Sequence, residues 1–311
     1  MTALGFDTSN YTTSTAAVGE KLFKSQRRIL PVKPGERGLR QSDALFAHVK
    51  ALPELYEQLM EEVDPHGIIS VGVSTRPRNA EGSYMPVFLA GEGFARAAAA
   101  SLSLPLYRFS HQDGHLMAGI YSGGFWELLE RPFLAVHLSG GTTEVLQNEY
   151  RNGSFKTKIL GGTRDISAGQ LIDRIGVRLG MQFPCGKELD ALSQRTDRVI
   201  PVKLSISDME MNLSGLENKF SDMMEKESPE VLARSVLFAV SKALSAVISN
   251  AISNTGCRRV LMVGGVAANT FLRTYLPENT DAEIFFSDAT YATDNAVGIA
   301  ELARRIEMRE Y

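Results

Sequence analysis

The chain has 311 residues, 44% of them hydrophobic, a formal charge of −3 and a sequence pI near 6.0. That composition excludes a disordered chain, and the length favours two domains over one. The near-balanced charge provides no global positive field, so contact with RNA would have to come from a local patch. Cys185 and Cys257 are too few for a disulfide framework. The first residues carry no signal-peptide pattern, and no run is expected to be apolar enough to cross a bilayer, so a cytoplasmic protein without membrane contact is expected.

In chain order, residues 3–6, 13–18 and 21–29 read as a three-strand meander with turns at Thr8-Ser9-Asn10 and Gly19-Glu20. Residues 42–62 carry Leu45, Phe46, Val49, Leu52, Leu55 and Leu59 at helical spacing, and 68–74 is a buried-type strand. A helix over 91–100, a strand over 105–109 and a helix over 114–123 complete the first cycle. Residues 133–138, 143–148 and 154–160 then repeat the meander. Helices at 168–179 and 229–253, a strand at 259–263, a helix at 268–275, a strand at 283–286 and a helix at 293–309 follow. The order strand-strand-strand-helix-strand-helix occurs twice, the pattern of an α/β duplication, with the boundary expected near 126–132. Phe125, Trp126, Met209 and Met211 read as core or lobe-contact residues.

Two of the five histidines, His111 and His115, stand at i and i+4 in HQDGH. If a helix begins near His111 both imidazoles share one face, as metal ligands would; two unrelated surface histidines would look the same. Gln112 stands where a zincin peptidase would carry its glutamate base. In Ser139-Gly140-Gly141-Thr142-Thr143, the glycines after an apolar run let a phosphate approach the backbone, though a plain hairpin turn shares the pattern. Gly264 and Gly265 end a buried strand just before a helix, which suits a ligand on the helix N-terminus; Asn269 is then either a nucleoside contact or a cap. Asp294 is an ordinary N-terminal helix charge or the carboxylate of a two-histidine, one-carboxylate metal set. Residues 24–40 hold six basic residues against Glu36 alone, which makes them a solvated hairpin or a patch for RNA phosphates.

Together these segments resemble the TsaD/Kae/Gcp family of tRNA threonylcarbamoyladenosine transferases, once filed as O-sialoglycoprotein endopeptidases. The resemblance rests on HVKALPEL from His48, HQDGH, SGGTT, GQLID from Gly169, NLSGL from Asn212, GGVAAN and TDNA from Thr293. It implies the actin-like, sugar-kinase-like ASKHA duplication of two α/β lobes. The first lobe would span 1–128, with the final helix 293–311 packing back on it, and the second 129–292.

The resemblance further implies that His111, His115 and Asp294 hold one divalent metal ion, iron or zinc. Leu138, Ser139, Gly140, Gly141 and Thr142 would take a phosphate. Asp173, Gly186, Asp190, Gly264, Gly265 and Asn269 would surround an adenine nucleotide, whether threonylcarbamoyl-AMP, ADP or ATP. Asp7 and, beside it in the first turn, Ser9 would be the catalytic residues. The implied reaction moves a threonylcarbamoyl group from an adenylate to N6 of a tRNA adenosine. Partners would be tRNA and the subunits of a transfer complex, including a second copy or a paralogue.

The chain departs from the family pattern at Tyr11 and Thr12, where two acids are usual. It departs again at Arg76-Pro77-Arg78-Asn79, at Ile166 and at Gln170. These losses suit a divergent paralogue, one with altered substrates or one that binds nucleotide as a non-catalytic partner subunit.

Overall fold

The computed structural model describes residues 1–9, 11–31, 39–288 and 295–310. By its internal contacts the chain divides into two units, Met1–Trp126 with Tyr150–Lys156 and Thr293–Tyr311, and Glu127–Glu149 with Thr157–Ala292.

The first unit is built on a five-stranded sheet. Its strands are β1 (Thr2–Thr8), β2 (Thr12–Gly19), β3 (Phe23–Ile29), β4 (Ile68–Arg76) and β5 (Leu106–Ser110), in the order β3-β2-β1-β4-β5. β1 pairs antiparallel with β2 and parallel with β4, and β4 is parallel to β5. Every residue of β1 is buried, as befits a central strand covered on both faces. Leu4, Phe6, Val71 and Val73 pack with Leu52 and Leu59 of α1 (Gln41–Met60) and with Ala95 and Ala99 of α2 (Phe88–Leu102). On the other face, Ala16 and Val18 meet Ala296, Val297 and Ala300 of α9 (Asn295–Met308).

Two glycines seat that last helix. Gly5 and Gly72 are register partners, and a Cβ on either would lie 2.1 Å from the Ala296 carbonyl or 2.6 Å from that of Ile299. Only their absent side chains let the α9 backbone rest directly on the sheet. α3 (His111–Gly123) follows β5 without a loop and packs against α9.

The helix expected over 42–62 forms, yet its buried stripe is Ala44, His48, Ala51, Leu52, Leu55 and Leu59. Phe46 and Val49 are 66% and 54% exposed. Both lie within the helical spacing but on its outer flank, and the Lys50 ammonium sits 5.6 Å from the Phe46 ring centre. Trp126, expected in a core or lobe contact, is 39% exposed beneath the Arg305 guanidinium.

The second unit repeats the arrangement. β6 (Phe133–Leu138), β7 (Thr143–Arg151), β8 (Ser154–Thr163), β11 (Arg259–Val263) and β12 (Glu283–Phe286) stand in the order β12-β11-β6-β7-β8. β9 (Ser205–Ser207) and β10 (Glu210–Asn212) extend the sheet beyond β8. β6 again pairs antiparallel with the next strand and parallel with the strand after the long helix. The tip of the β7–β8 hairpin groups with the first unit, a feature the sequence does not signal.

α4 (Ala168–Arg178), α5 (Gly186–Ser193), α6 (Ser214–Ser221), α7 (Pro229–Thr255) and α8 (Thr270–Glu278) complete the unit. Contrary to the reading of the sequence, α7 is long and apolar enough to cross a bilayer, but 72% of its apolar window is buried within the protein. It starts at a Ser228 cap with proline in its first turn and ends at Gly256 with φ 72°. Its residues Val236, Val240, Leu244 and Val247 fill the core against Leu134, Val136 and Met262.

Candidate functional site

In the first unit, chemistry gathers at the C-terminal end of β1. Asp7 is fully buried there. Its Oδ1 accepts a hydrogen bond from Ser74 Oγ on β4, and its Oδ2 accepts one from Asn295 Nδ2 of α9 at 3.4 Å. Nδ1 of His111 lies 3.1 Å from both carboxylate oxygens. Burial pushes the Asp7 carboxyl up, but the His111 charge and the hydrogen bonds from His111, Ser74 and Asn295 outweigh it and hold it below the ordinary carboxylate range.

α3 begins at His111 because Ser110 caps it reciprocally with Asp113. The spacing therefore does put His111 and His115 on one face, with ring centres 4.6 Å apart. Asn79 Nδ2 donates to both oxygens of Asp113, and Gln112 N donates to the Pro77 carbonyl, so the departing segment Arg76-Pro77-Arg78-Asn79 braces the first turn of α3. Gln112 is itself buried.

His48 is buried beside the same turn, with Nδ1 2.8 Å from Thr13 Oγ1. Burial lowers its pKa, opposed by a hydrogen bond to the Ser9 backbone and by the Asp7 charge. Ser9 is half-buried.

Asp294 lies outside the described residues. Among the described residues no group of three or more histidine, cysteine or acidic side chains is arranged to hold a metal. The two imidazoles are nevertheless a fitting pair of donors. His111 spends Nδ1 on Asp7, which leaves Nε2 as its ligating atom in the manner of histidines braced by a carboxylate.

In the second unit, the residues expected around a nucleotide form a closed circuit. The hairpin that follows Leu138 folds on its own serine: Ser139 Oγ accepts from Gly141 N at 3.4 Å and from Thr142 N at 3.0 Å. Two backbone N–H groups thus converge on one oxygen, which is the arrangement a phosphate oxygen requires. A Cβ at Gly140 or Gly141 would meet nothing within 4 Å, so packing does not explain these glycines.

The loop rests on the start of α4, where Ser167 Oγ donates to Gly140 O and Ala168 N donates to Thr143 Oγ1. Further along α4, Asp173 Oδ1 accepts from Cys185 N just before Gly186 opens α5. Burial raises the Asp173 carboxyl, partly offset by that bond. Burial also pushes the Cys185 thiol up to about 11, with the charges of Asp173 and Glu188 adding to it.

Asp190 of α5 accepts from Thr270 N and Thr270 Oγ1 at the start of α8. Both its oxygens are therefore spent as a strut between helices. Asn269 Oδ1 caps α8 through Leu272 N, which leaves Nδ2 as the donor for a ligand. Gly264, at φ 94°, closes the circuit against the Leu138 carbonyl, 2.2 Å from where a Cβ would stand. Gly265 opens the short 3-10 turn between it and Asn269.

The basic run is partly neutralised. Lys24 pairs with Glu62 and Arg28 with Glu54, while residues 32–38 lie outside the described set. Sequence reading missed Ser74, Thr270 and Ser167, whose roles depend on partners far along the chain. The Ser110/Asp113 cap was the one readable signal for where α3 starts.

Comparison with known proteins gives a consistent picture. The family model described as tRNA N6-adenosine threonylcarbamoyltransferase matches residues 21–301. A protein of that name from Thermus thermophilus is 32% identical over 326 aligned positions, covering 100% of this chain and 94% of the relative. Among solved structures, the activator of the 2-hydroxyisocaproyl-CoA dehydratase from Clostridium difficile with bound ADPNP superposes with a TM-score of 0.57 at 15% identity, over 100% of this chain and 97% of that one. A ROK family glucokinase from Streptomyces griseus in complex with glucose and AMPPNP gives 0.54 at 12% identity, over 98% and 100%. At such identities the likeness concerns the fold, which is the two-sheet ASKHA architecture that the family resemblance implies.

Proposed function

The chain belongs to the tRNA N6-adenosine threonylcarbamoyltransferase family, and on that premise we propose that it moves a threonylcarbamoyl group from an adenylate to N6 of an adenosine in tRNA. In this reaction the N6 amine attacks the carbamoyl carbon, the bond to the adenylate phosphate breaks, AMP leaves with the electron pair and the amine gives up a proton. The observation that carries the reading is the Asp7-braced His111 beside His115, in a chain aligned along its whole length with a named transferase.

His111 and His115, with Asp294, would hold a divalent iron or zinc ion. When bound, the ion supplies a Lewis acid for an oxygen of the acyl donor. The protein's own contribution is binding and orientation. The Gly140–Gly141 hairpin offers its convergent N–H groups to the phosphate once Ser139 Oγ yields them, Asn269 Nδ2 offers a donor to the nucleoside, and Asp173 keeps its Oδ2 for the same ligand. Asp190 supports this arrangement through Thr270. The site so built takes threonylcarbamoyl-AMP or, in its place, ADP or ATP. The protein would act in the cytoplasm with tRNA and with partner subunits, a second copy or a paralogue.

The test is complementation of a strain that lacks its own transferase, with the tRNA nucleosides measured by mass spectrometry. The wild-type chain is expected to restore the modified adenosine and His111→Ala to fail. Nucleotide binding without any modification would select the non-catalytic partner subunit that Tyr11 and Thr12, in place of acids, bring to mind. Metal-dependent cleavage of a glycoprotein, absent in His111→Ala, would instead revive the peptidase reading.

A further inference from the structure

We propose that Asp7 is a positioning residue for His111: it fixes the imidazole as the tautomer with hydrogen on Nδ1, so that Nε2 is the atom His111 presents. The proposal rests on the ligand reading only for what Nε2 meets; the tautomer follows from the contacts alone. Asp7 was grouped by resemblance with Ser9 as a reacting residue, but its environment suits another task.

An ionised carboxylate only accepts hydrogen bonds. Nδ1 of His111 sits 3.1 Å from each of its two oxygens, so the hydrogen between them belongs to the ring. The remaining acceptor positions are filled by Ser74 Oγ and Asn295 Nδ2. The carboxylate is thus gripped from three directions by groups on β4, α3 and α9. Being fully buried, it presents no oxygen to solvent or substrate.

The grip is built into the fold. Asp7 ends the central strand, and β4, which carries Ser74, is its parallel neighbour. Gly5 and Gly72 bring α9, and with it Asn295, onto the sheet. The capping box of Ser110 starts α3 at His111 itself. The other side of the ring is limited by Phe88, with centroids 6.0 Å apart, and by His115. A ring held on one nitrogen by a buried acceptor and walled by two aromatic neighbours has one orientation and one lone pair to offer.

The experiment uses the full chain, stripped of metal and labelled with 15N-histidine. Long-range 1H–15N correlation spectra distinguish the two tautomers. Wild type is expected to show His111 with hydrogen on Nδ1. Ser74→Ala, which leaves the Asp7–His111 contact in place, is expected to retain that pattern; Asp7→Asn is expected to lose it while the His115 signals persist.

Zinc affinity, measured by competition with a chromophoric chelator, is expected to fall about 10–100-fold in Asp7→Asn. A wild-type His111 with a bare Nδ1 would overturn the proposal without any variant having to fold. So would an unchanged tautomer and unchanged zinc affinity in Asp7→Asn. If wild type shows the expected tautomer, lost in Asp7→Asn, yet binds no zinc, the positioning role stands and the metal reading of the previous section falls.

Discussion

Gly264→Ala separates glycines that the fold requires from glycines that a ligand requires. In the wild-type chain Gly264 has φ 94°, and a Cβ there would stand 2.2 Å from the Leu138 carbonyl oxygen and 2.7 Å from its carbon. Those atoms are backbone at the end of β6 and cannot rotate away. At φ 94° and ψ 159°, backbone that is essentially reserved for glycine, an alanine costs about 1–3 kcal/mol, and forcing two strand ends apart adds about 1–3 kcal/mol. A loss of roughly 2–6 kcal/mol is expected, read as a lowered urea midpoint with an unchanged slope. At Gly140 and Gly141 a Cβ meets nothing, and neither has a positive φ. Alanine at either should leave stability unchanged or raise it by about 0.4–1 kcal/mol through the unfolded chain. If a phosphate lies against that hairpin, the same methyl group weakens ADP binding about tenfold or more, which calorimetry would record as roughly 1.4 kcal/mol. A Gly264→Ala protein as stable as wild type would refute the close-approach argument. Gly140→Ala with wild-type ADP affinity would remove the hairpin from the nucleotide site.

The other expectations concern single groups. Asp190→Ala leaves the Thr270 N–H and hydroxyl without their acceptor at the start of α8, so unfolding free energy should fall by about 2 kcal/mol even without nucleotide; unchanged stability would return Asp190 to the role of ligand. Asp165 accepts from Ile166 N, Leu213 N, Ser214 N and Ser214 Oγ. Partial burial opposes these bonds, yet they hold its carboxyl at about 2 against an ordinary 3.8. A lowered folded pKa stabilises above the unfolded value and is lost as pH falls through the folded one. The deficit of Asp165→Asn, about 1 kcal/mol once solvent screening is allowed for, should therefore be full at pH 6 and vanish between about pH 4 and pH 2 in urea titrations. Cys185, buried and with its thiol pushed up to about 11, should resist iodoacetamide at pH 8 until the protein is unfolded, as mass spectrometry of the labelled peptide would record.

What the sequence made legible was whatever a local pattern determines. The strands 133–138, 259–263 and 283–286 were readable to the residue, because each is a short, largely apolar run between turn residues. The region from 181 to 227 was not readable. β9 and β10 have three residues each, too few for any period, and α5 and α6 have eight. These elements owe their places to side chains elsewhere: Asp165 holds the start of α6 and Asp173 the approach to α5. Phe46 and Val49 misled because a 20-residue helix offers more than one plausible apolar flank, and only the sheet beneath it chooses between them. The site shows the same division. The i, i+4 histidines are a local fact, whereas the contact of His111 with Asp7, 104 residues away, exists only because β1, β4 and β5 lie side by side.

The duplication explains why the two clusters, one in each unit, look so different in sequence. In an open α/β sheet, ligands meet the protein beyond the carboxyl ends of the parallel strands. β1 and β6 are equivalent, each paired antiparallel with the next strand and parallel with a later one. At the end of β1 the chain places a carboxylate whose neighbours satisfy it completely, so that corner is rigid and its product is an oriented imidazole. At the end of β6 it places the Ser139–Thr142 hairpin, in which the Gly141 and Thr142 N–H groups are held by the Ser139 hydroxyl, a group that can turn away. A saturated polar cluster preserves geometry, and a self-satisfied glycine hairpin yields its donors to an anion at little cost. On this argument, mutations around Asp7 should change what His111 binds and how tightly, while mutations in the hairpin should change nucleotide affinity and leave the histidine tautomer untouched.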